Sequence, residues 1–238
     1  MSDPSPFSYR LRVHRRARHV RLRVTPHGEL VITVPPGFDE TALAPILARR
    51  ADWIRDMQAR QARQREADPH GGGLRPREIR LVAIDEHWQV HYRPGAARIL
   101  QSAPQARTLQ VAAEADDAAV GRALRQWLQR RARAVLPDWL AAVSAETGLR
   151  YRSVGIRGQR SRWGSCSARG HISLNRNLLF LPPDAVRYLL VHELCHTLHL
   201  NHSPAFWQAV ARHQPDYRAR EARLREAAAS LPLWAHAS

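Results

Sequence analysis

The sequence predicts an α+β protein in which a β-rich N-terminal half precedes a helical C-terminal core. Between residues 9 and 34, and again between 79 and 112, apolar side chains alternate with polar ones, a period typical of half-buried strands. From residue 116 onward, long stretches repeat their apolar residues every three or four positions, which is typical of amphipathic helices. With 44% hydrophobic and 24% charged residues, the chain has a globular composition, and 238 residues allow one large domain or two ordinary ones.

The first predicted domain, residues 1–68, consists of strands followed by a helix. We expect strands over 9–13, 19–25 and 29–34, with Pro26-His27-Gly28 as the turn between the last two. Asp39 begins a helical stretch that we expect to run to about residue 67. The glycine-rich segment from Asp68 to Gly73 is the best candidate for a linker.

The rest of the chain is predicted as a β-rich segment, residues 69–115, and a final domain, residues 116–238. We expect strands over 79–84, 88–93, 98–101 and 108–112, then a helix from Asp116 to Thr147 that Pro137 kinks or splits. Two further strands are expected at 152–157 and 171–175. A helix is expected to start at Pro182 and to run to about residue 199. Two more helices are expected to start at Ser203 and at Pro215.

The charge balance favours contact with polyanions. Arginine supplies all 37 basic residues against 21 acidic ones, which leaves a net charge of +16. Nucleic acid is therefore a candidate partner. No apolar run is long enough to span a membrane, so no membrane partner is expected, and the N-terminus has no apolar signal-like segment. Two cysteines, Cys166 and Cys195, cannot form a disulfide framework, and we expect a cytoplasmic protein.

The segment His192-Glu193-Leu194-Cys195-His196 carries the chemistry. On a helix, two histidines four residues apart project from one face and can share one metal ion. An i, i+4 apolar stripe from Val186 to Leu198 predicts that this helix is buried on one side. Glu193 lies beside the histidines, where its carboxylate can reach a water at the metal without being a ligand.

A hydrolytic zinc site needs three protein ligands and one open position for water. His202 stands ten residues after His192, and a helix end at Asn201, a residue that tolerates left-handed backbone, would bring it round to the metal. His199 is the nearest rival but extends the same helical stripe, and Asp216 is a more distant oxygen ligand. Spacing therefore favours His202 and leaves the other two open.

Several motifs together resemble the YgjP-like metallopeptidases, bacterial zincins related to the SprT and Spartan proteases. They are Arg162-Trp163-Gly164-Ser165-Cys166, Gly170 to Asn175, Leu181-Pro182, Tyr188, His192 to His196, and Asn201 to Trp207. The resemblance implies a zincin-like core with a small antiparallel sheet and an active-site helix. It also implies one zinc ion per chain, His192, His196 and His202 as ligands, and Glu193 as catalytic acid/base.

The implied activity is hydrolysis of peptide bonds by a metal-activated water with Glu193 as general base. Tyr217 is a candidate donor to the oxyanion, in competition with Tyr188 and His199. A protein or peptide substrate is expected to bind as an added strand, with the strand 171–175 as the receiving edge. The alternatives are a nucleic-acid-associated protein with structural zinc, a hydrolase of a non-peptide bond or inactive scaffold, and a protease acting on DNA-bound proteins.

Overall fold

The computed structural model describes residues 7–25, 28–66, 73–159, 162–229 and 231–236. The chain divides into two compact units, Met1–Asp68 and Pro69–Ser238. The predicted turn at Pro26-His27 and the predicted linker, except for Gly73, lie outside the described residues. The β-rich N-terminal half and the helical C-terminal part are both present, so the predicted α+β class is confirmed.

The first unit is a three-stranded sheet with two helices. Its strands are β1 (Tyr9–Val13), β2 (Arg21–Val24) and β3 (Leu30–Val34), and its helices are α1 (Leu43–Arg49) and α2 (Ala51–Glu66). β3 lies in the middle, parallel to β1 and antiparallel to β2. The single helix expected from Asp39 is interrupted at Arg50, and Asp39 instead caps a short 3₁₀ turn. Alternate residues of β3 and the inner face of the helices form one core, which includes Leu30, Ile32, Leu47 and Ile54.

In the second unit, a four-stranded sheet packs with a long helix. Its strands are β4 (Glu78–Leu81), β5 (Glu86–Arg93), β6 (Leu100–Ala103) and β7 (Thr108–Ala112), in the order β4-β5-β7-β6. The helix α3 (Asp117–Thr147) begins at its cap Asp116 and ends before Gly148, whose φ of 72° suits glycine. α3 continues through Pro137, so the predicted split is wrong: ten buried residues spread along both halves hold it in one piece. Residues 69–115 share one hydrophobic core with the rest of this unit.

The C-terminal part of the second unit is a three-stranded sheet with three helices. The strands are β8 (Ser153–Arg157), β9 (Gly164–Cys166) and β10 (His171–Asn175), and the helices are α4 (Pro183–Cys195), α5 (Pro204–His213) and α6 (Tyr217–Ala229). The expected antiparallel sheet is mixed, because β10 runs antiparallel to β9 but parallel to β8.

Candidate metal centre

The helix α4 carries the paired histidines at its C-terminal end. It begins with Pro183 in its first turn, where proline's missing N–H costs nothing, and Asp184 there suits the helix dipole. Almost every side chain of α4 from Ala185 to Cys195 is buried, so the helix passes through the core rather than along its surface. His192 and Glu193 therefore reach the cavity described below from a rigid element.

The helix ends earlier than its apolar stripe predicts. α4 stops at Cys195 with His196 as its cap, and the next turn tightens through bonds from Thr197 N to Leu194 O and from Leu198 N to Cys195 O. Leu198 is consequently 59% exposed rather than part of the core. The left-handed backbone expected at Asn201 is wrong: among the described non-glycine residues, φ is positive only at Asp85 and Arg107. The chain turns through this tightened helix end instead.

After the turn, His202 faces the two helical histidines. His192 Nε2 and His202 Nε2 are 3.1 Å apart, and one ring nitrogen from each of His192, His196 and His202 lies within 4.8 Å of the others. Two nitrogen ligands of a tetrahedral zinc, each about 2.05 Å from the metal, would be roughly 3.3 Å apart. The spacing of the pair thus fits a shared ion with little movement.

Orientation of the rings also fits metal binding. His196 Nδ1 is 2.9 Å from the backbone oxygen of His199, an arrangement that directs Nε2 toward the other histidines. Burial, reinforced by the neighbouring His196 and His202, lowers the pKa of His192 to about 3, and burial also lowers the pKa of His196. Both rings are therefore neutral near pH 7, the form in which an imidazole nitrogen offers its lone pair to a metal.

Two aromatic residues of α5 hold the rings in place. Ser203 caps this helix by accepting a bond from Phe206 N. The Phe206 ring stacks on His196 with a centroid distance of 4.4 Å, and Trp207 stacks on His202 at 5.6 Å. Trp207 in turn stacks on Tyr217 at 5.2 Å. The third histidine is thus held by packing although it lies in a turn.

Glu193 is a buried carboxyl group beside the histidines. It is 4% exposed, and its Oε2 has no hydrogen-bond partner among the described residues. Burial raises the pKa of Glu193 to about 8, while the positive charge of Arg162 acts in the opposite direction. A divalent cation held by the histidines would favour the ionised form, so this otherwise costly burial fits a metal centre.

Gly164 of β9 makes room for this carboxylate. A Cβ atom at Gly164 would stand 2.5 Å from Glu193 Oε1 and 2.8 Å from Glu193 Cγ. No residue with a side chain can occupy this position unless Glu193 moves. The sequence analysis identified Gly164 only as part of a motif and missed this contact. The feature that could have indicated it is a glycine between tryptophan and serine in that motif.

The centre lies at one side of a cavity of about 400 Å³. Its lining includes residues 162–166 around β9, Glu221 and Leu224 on α6, and four residues of α4: Tyr188, Leu189, His192 and Glu193. The strand 171–175, predicted as the substrate edge, is instead the central strand, with β9 as the edge nearest the cavity. β9 escaped prediction because Gly-Ser-Cys is too short to show an apolar alternation.

The pairing of β9 with β10 determines which backbone groups of β9 face the unpaired edge of the sheet. Asn175 N donates to Trp163 O and Ser167 N donates to His171 O, both at 2.9 Å. In an antiparallel pair, alternate residues bond to the partner strand. The backbone N–H and C=O groups of Gly164 and Cys166 therefore point away from β10, toward the unpaired edge.

The remaining predicted site residues have other surroundings. His199 contributes its backbone oxygen, and Asp216 pairs with Arg220 at 2.9 Å; neither joins the histidine cluster among the described residues. Burial raises the pKa of the Cys195 thiol to about 11, which fits a buried packing role. His171, on β10, lies with its Nδ1 2.8 Å from Ser153 Oγ.

Comparison with known proteins assigns the chain to a family. The family model of the YgjP-like metallopeptidase domain matches residues 18–227, which is 210 of the 238 residues. The chain therefore belongs to the YgjP-like metallopeptidase family, and it is a hydrolase by class.

The chain is similar to the solved structure of the metallopeptidase zymogen of Pyrococcus abyssi abylysin, with 26% sequence identity and a TM-score of 0.36. The match covers 39% of this chain and 93% of that one. No curated protein sequence matches. None of the described helices is long and apolar enough to cross a membrane.

Proposed function

We propose that this protein is a zinc-dependent peptidase whose active site is formed by His192, His196, His202 and Glu193. The observation that carries the proposal is the convergence of three imidazole nitrogens beside a buried carboxyl group at the wall of a cavity. A structural zinc site is closed by four protein ligands, whereas a catalytic one leaves a position open. The described residues offer three ligands here, which favours catalysis over a structural role.

The histidines would hold the ion through neutral ring nitrogens, and Glu193 would move protons. When bound, zinc supplies a Lewis acid that polarises a carbonyl group and makes water a better nucleophile near neutral pH. The carboxylate of Glu193 then accepts a proton from the attacking water and delivers it to the leaving amine. Gly164 allows the carboxylate to lie at the cavity wall, where it can perform both transfers.

Tyr188 is our candidate donor to the oxyanion. Its side chain lines the cavity four residues before His192, and burial raises the pKa of the phenol, so the O–H group stays available as a donor. Tyr217, the candidate favoured from sequence, stacks on Trp207, and its hydroxyl accepts a bond from Arg218 Nε at 3.3 Å. Tyr217 is not among the described residues that line the cavity.

We further propose that the peptide substrate extends the sheet at β9. Gly164 and Cys166 offer four backbone groups along the free edge, next to Glu193. Main-chain bonds to these groups would hold an extended peptide regardless of its side chains. Tyr188, Leu189 and Leu224 would then contact apolar substrate side chains in the cavity.

The test is a Glu193→Gln variant, with Glu221→Gln as the matched control. Glu221 lines the same cavity but is paired with Arg225 at 2.7 Å, so the same substitution there leaves the proposed proton transfer intact. With fluorescently labelled unfolded casein, we expect Glu193→Gln to lower kcat by about 10³-fold while zinc content is unchanged. Equal cleavage by the wild type and the Glu193→Gln variant would disprove the proposed role.

A further inference from the structure

A second concave site, separate from the metal centre, is formed by arginines on α3. A cavity of about 550 Å³ is lined by α3 residues and by Arg176, which follows β10. An adjoining cavity of about 820 Å³ shares Arg122, Gln126 and Arg130 with the first and adds Arg98. We call this continuous surface the arginine groove; its basic residues are Arg98, Arg122, Arg125, Arg130, Arg133 and Arg176.

Four arginines of the groove have no carboxylate partner among the described residues, unlike several other arginines of this chain. On another face of α3, Arg131 pairs with Glu86, and on α6 Arg220 and Arg225 pair with acidic residues one turn away. Within the described part of the chain, no carboxylate lies within 4.0 Å of the guanidinium groups of Arg122, Arg130, Arg133 or Arg176. Their positive charge is therefore left for a ligand from outside the chain.

Two of the arginines are partly withdrawn from solvent. Arg176 lies against Gly158, where there is no space for a Cβ atom, and its buried Nε has no hydrogen-bond partner among the described residues. Burial and the charge of Arg125 lower the pKa of Arg176, and burial and Arg122 lower that of Arg125. Like charges gathered in a partly dry groove are unfavourable until an anion enters.

The arrangement fits a chain of phosphates better than a single one. Arg122 and Arg133 are eleven residues apart on one helix, a rise of about 16 Å, which is long enough for several phosphates of an extended strand. Arginine binds phosphate oxygens in pairs through its planar fork. No aromatic side chain lines the groove within the described residues, so bases have no stacking surface.

We propose that the arginine groove binds the phosphate backbone of single-stranded nucleic acid without regard to sequence. A concave groove suits the thin, flexible backbone of a single strand, whose successive phosphates can follow the row of arginines along α3. Binding uses none of the residues around the metal centre. It is therefore independent of the proposed peptidase activity and can fail or succeed separately.

The test is fluorescence anisotropy of a labelled 20-nucleotide oligothymidine with the full chain, between 0.05 and 0.4 M salt. The groove variant combines Arg122→Gln, Arg130→Gln and Arg133→Gln. The control variant combines Arg150→Gln, Arg152→Gln and Arg169→Gln, which removes the same charge from exposed arginines outside the groove. All six side chains are exposed, and we expect both variants to fold like the wild type.

Each phosphate contact to a single strand contributes roughly 0.7 to the slope of log affinity against log salt. Losing three contacts should therefore reduce the slope by about 2 and weaken binding at 0.1 M salt by about 100-fold, with little change in the control. Equally weakened oligonucleotide binding in both variants would show that attraction by the net charge is diffuse, and would overturn the proposal that the arginine groove is the binding site. Tighter binding of duplex through the same arginines would overturn the single-strand assignment, as would absence of binding at 0.05 M salt.

Discussion

Replacing Gly164 with alanine should strongly lower peptidase activity while the zinc content stays unchanged. The added Cβ would stand 2.5 Å from Glu193 Oε1 and 2.7 Å from Glu193 Cδ, whereas ordinary contact begins at 3.4 Å. The carboxylate must therefore retreat by about 0.9 Å, the difference between these distances for Oε1. A displacement of about 1 Å at a catalytic group typically costs about 100-fold in rate. The strain of overpacking should also lower the free energy of unfolding by about 1–3 kcal/mol.

The assay for Gly164→Ala is kcat/KM on labelled casein, measured beside zinc content. Alanine keeps the backbone groups of β9, so substrate pairing at this edge is retained and the loss should arise from Glu193. Gly155→Ala on β8 is the matched control: its Cβ would meet the His171 ring at 3.3 Å, a side chain away from the metal centre. The reasoning fails if Gly164→Ala cleaves casein as well as Gly155→Ala does.

Two further substitutions test the packing of the site and the electrostatics of the fold. Trp207→Leu removes the ring stacked on His202 and should weaken zinc affinity by roughly 10- to 100-fold in a chelator competition. The control, Trp53→Leu on the partly exposed face of α2, should leave zinc affinity unchanged. Equal zinc affinities of the two variants would contradict the positioning role of Trp207. Glu86 accepts hydrogen bonds from Arg131 Nε and from Trp88 Nε1, each at 2.9 Å. Partial burial raises the pKa of Glu86, but these bonds outweigh burial and hold the pKa below its usual value. Glu86→Gln should therefore lower the free energy of unfolding in urea by about 1–2 kcal/mol at pH 7. Because the folded pKa is depressed, the difference from wild type should shrink as pH falls below about 4.5, and a difference that grew toward acid would refute this account.

Regular periodicity made most of the fold predictable. β1 and β10 have the expected bounds, and α3 lies between its predicted aspartate cap, Asp116, and Gly148. The errors arise where tertiary packing overrides a local signal. Pro137 does not split α3 because the helix is buried on both sides of it, and α4 stops before Leu198 because the chain turns toward His202.

The histidine cluster could be predicted because helical spacing fixes the relation of His192 to His196. The close approach of Gly164 to Glu193 could not, because it depends on how a three-residue strand packs against a helix 29 positions later in the chain. The same limit applies to the arginine groove. A net charge of +16 indicates an affinity for anions, but the positions of the guanidinium groups in the groove follow from the surface that α3 presents.

The most direct test of the proposed metal centre is zinc content by mass spectrometry on tag-free protein dialysed against zinc-free buffer. Wild type, His202→Ala and His199→Ala should be compared. Since His199 meets His196 through its backbone oxygen, its alanine variant keeps that contact. We predict about one zinc per chain in the wild type and in His199→Ala, and a sharp loss in His202→Ala. A full complement of zinc in His202→Ala would contradict the three-histidine site.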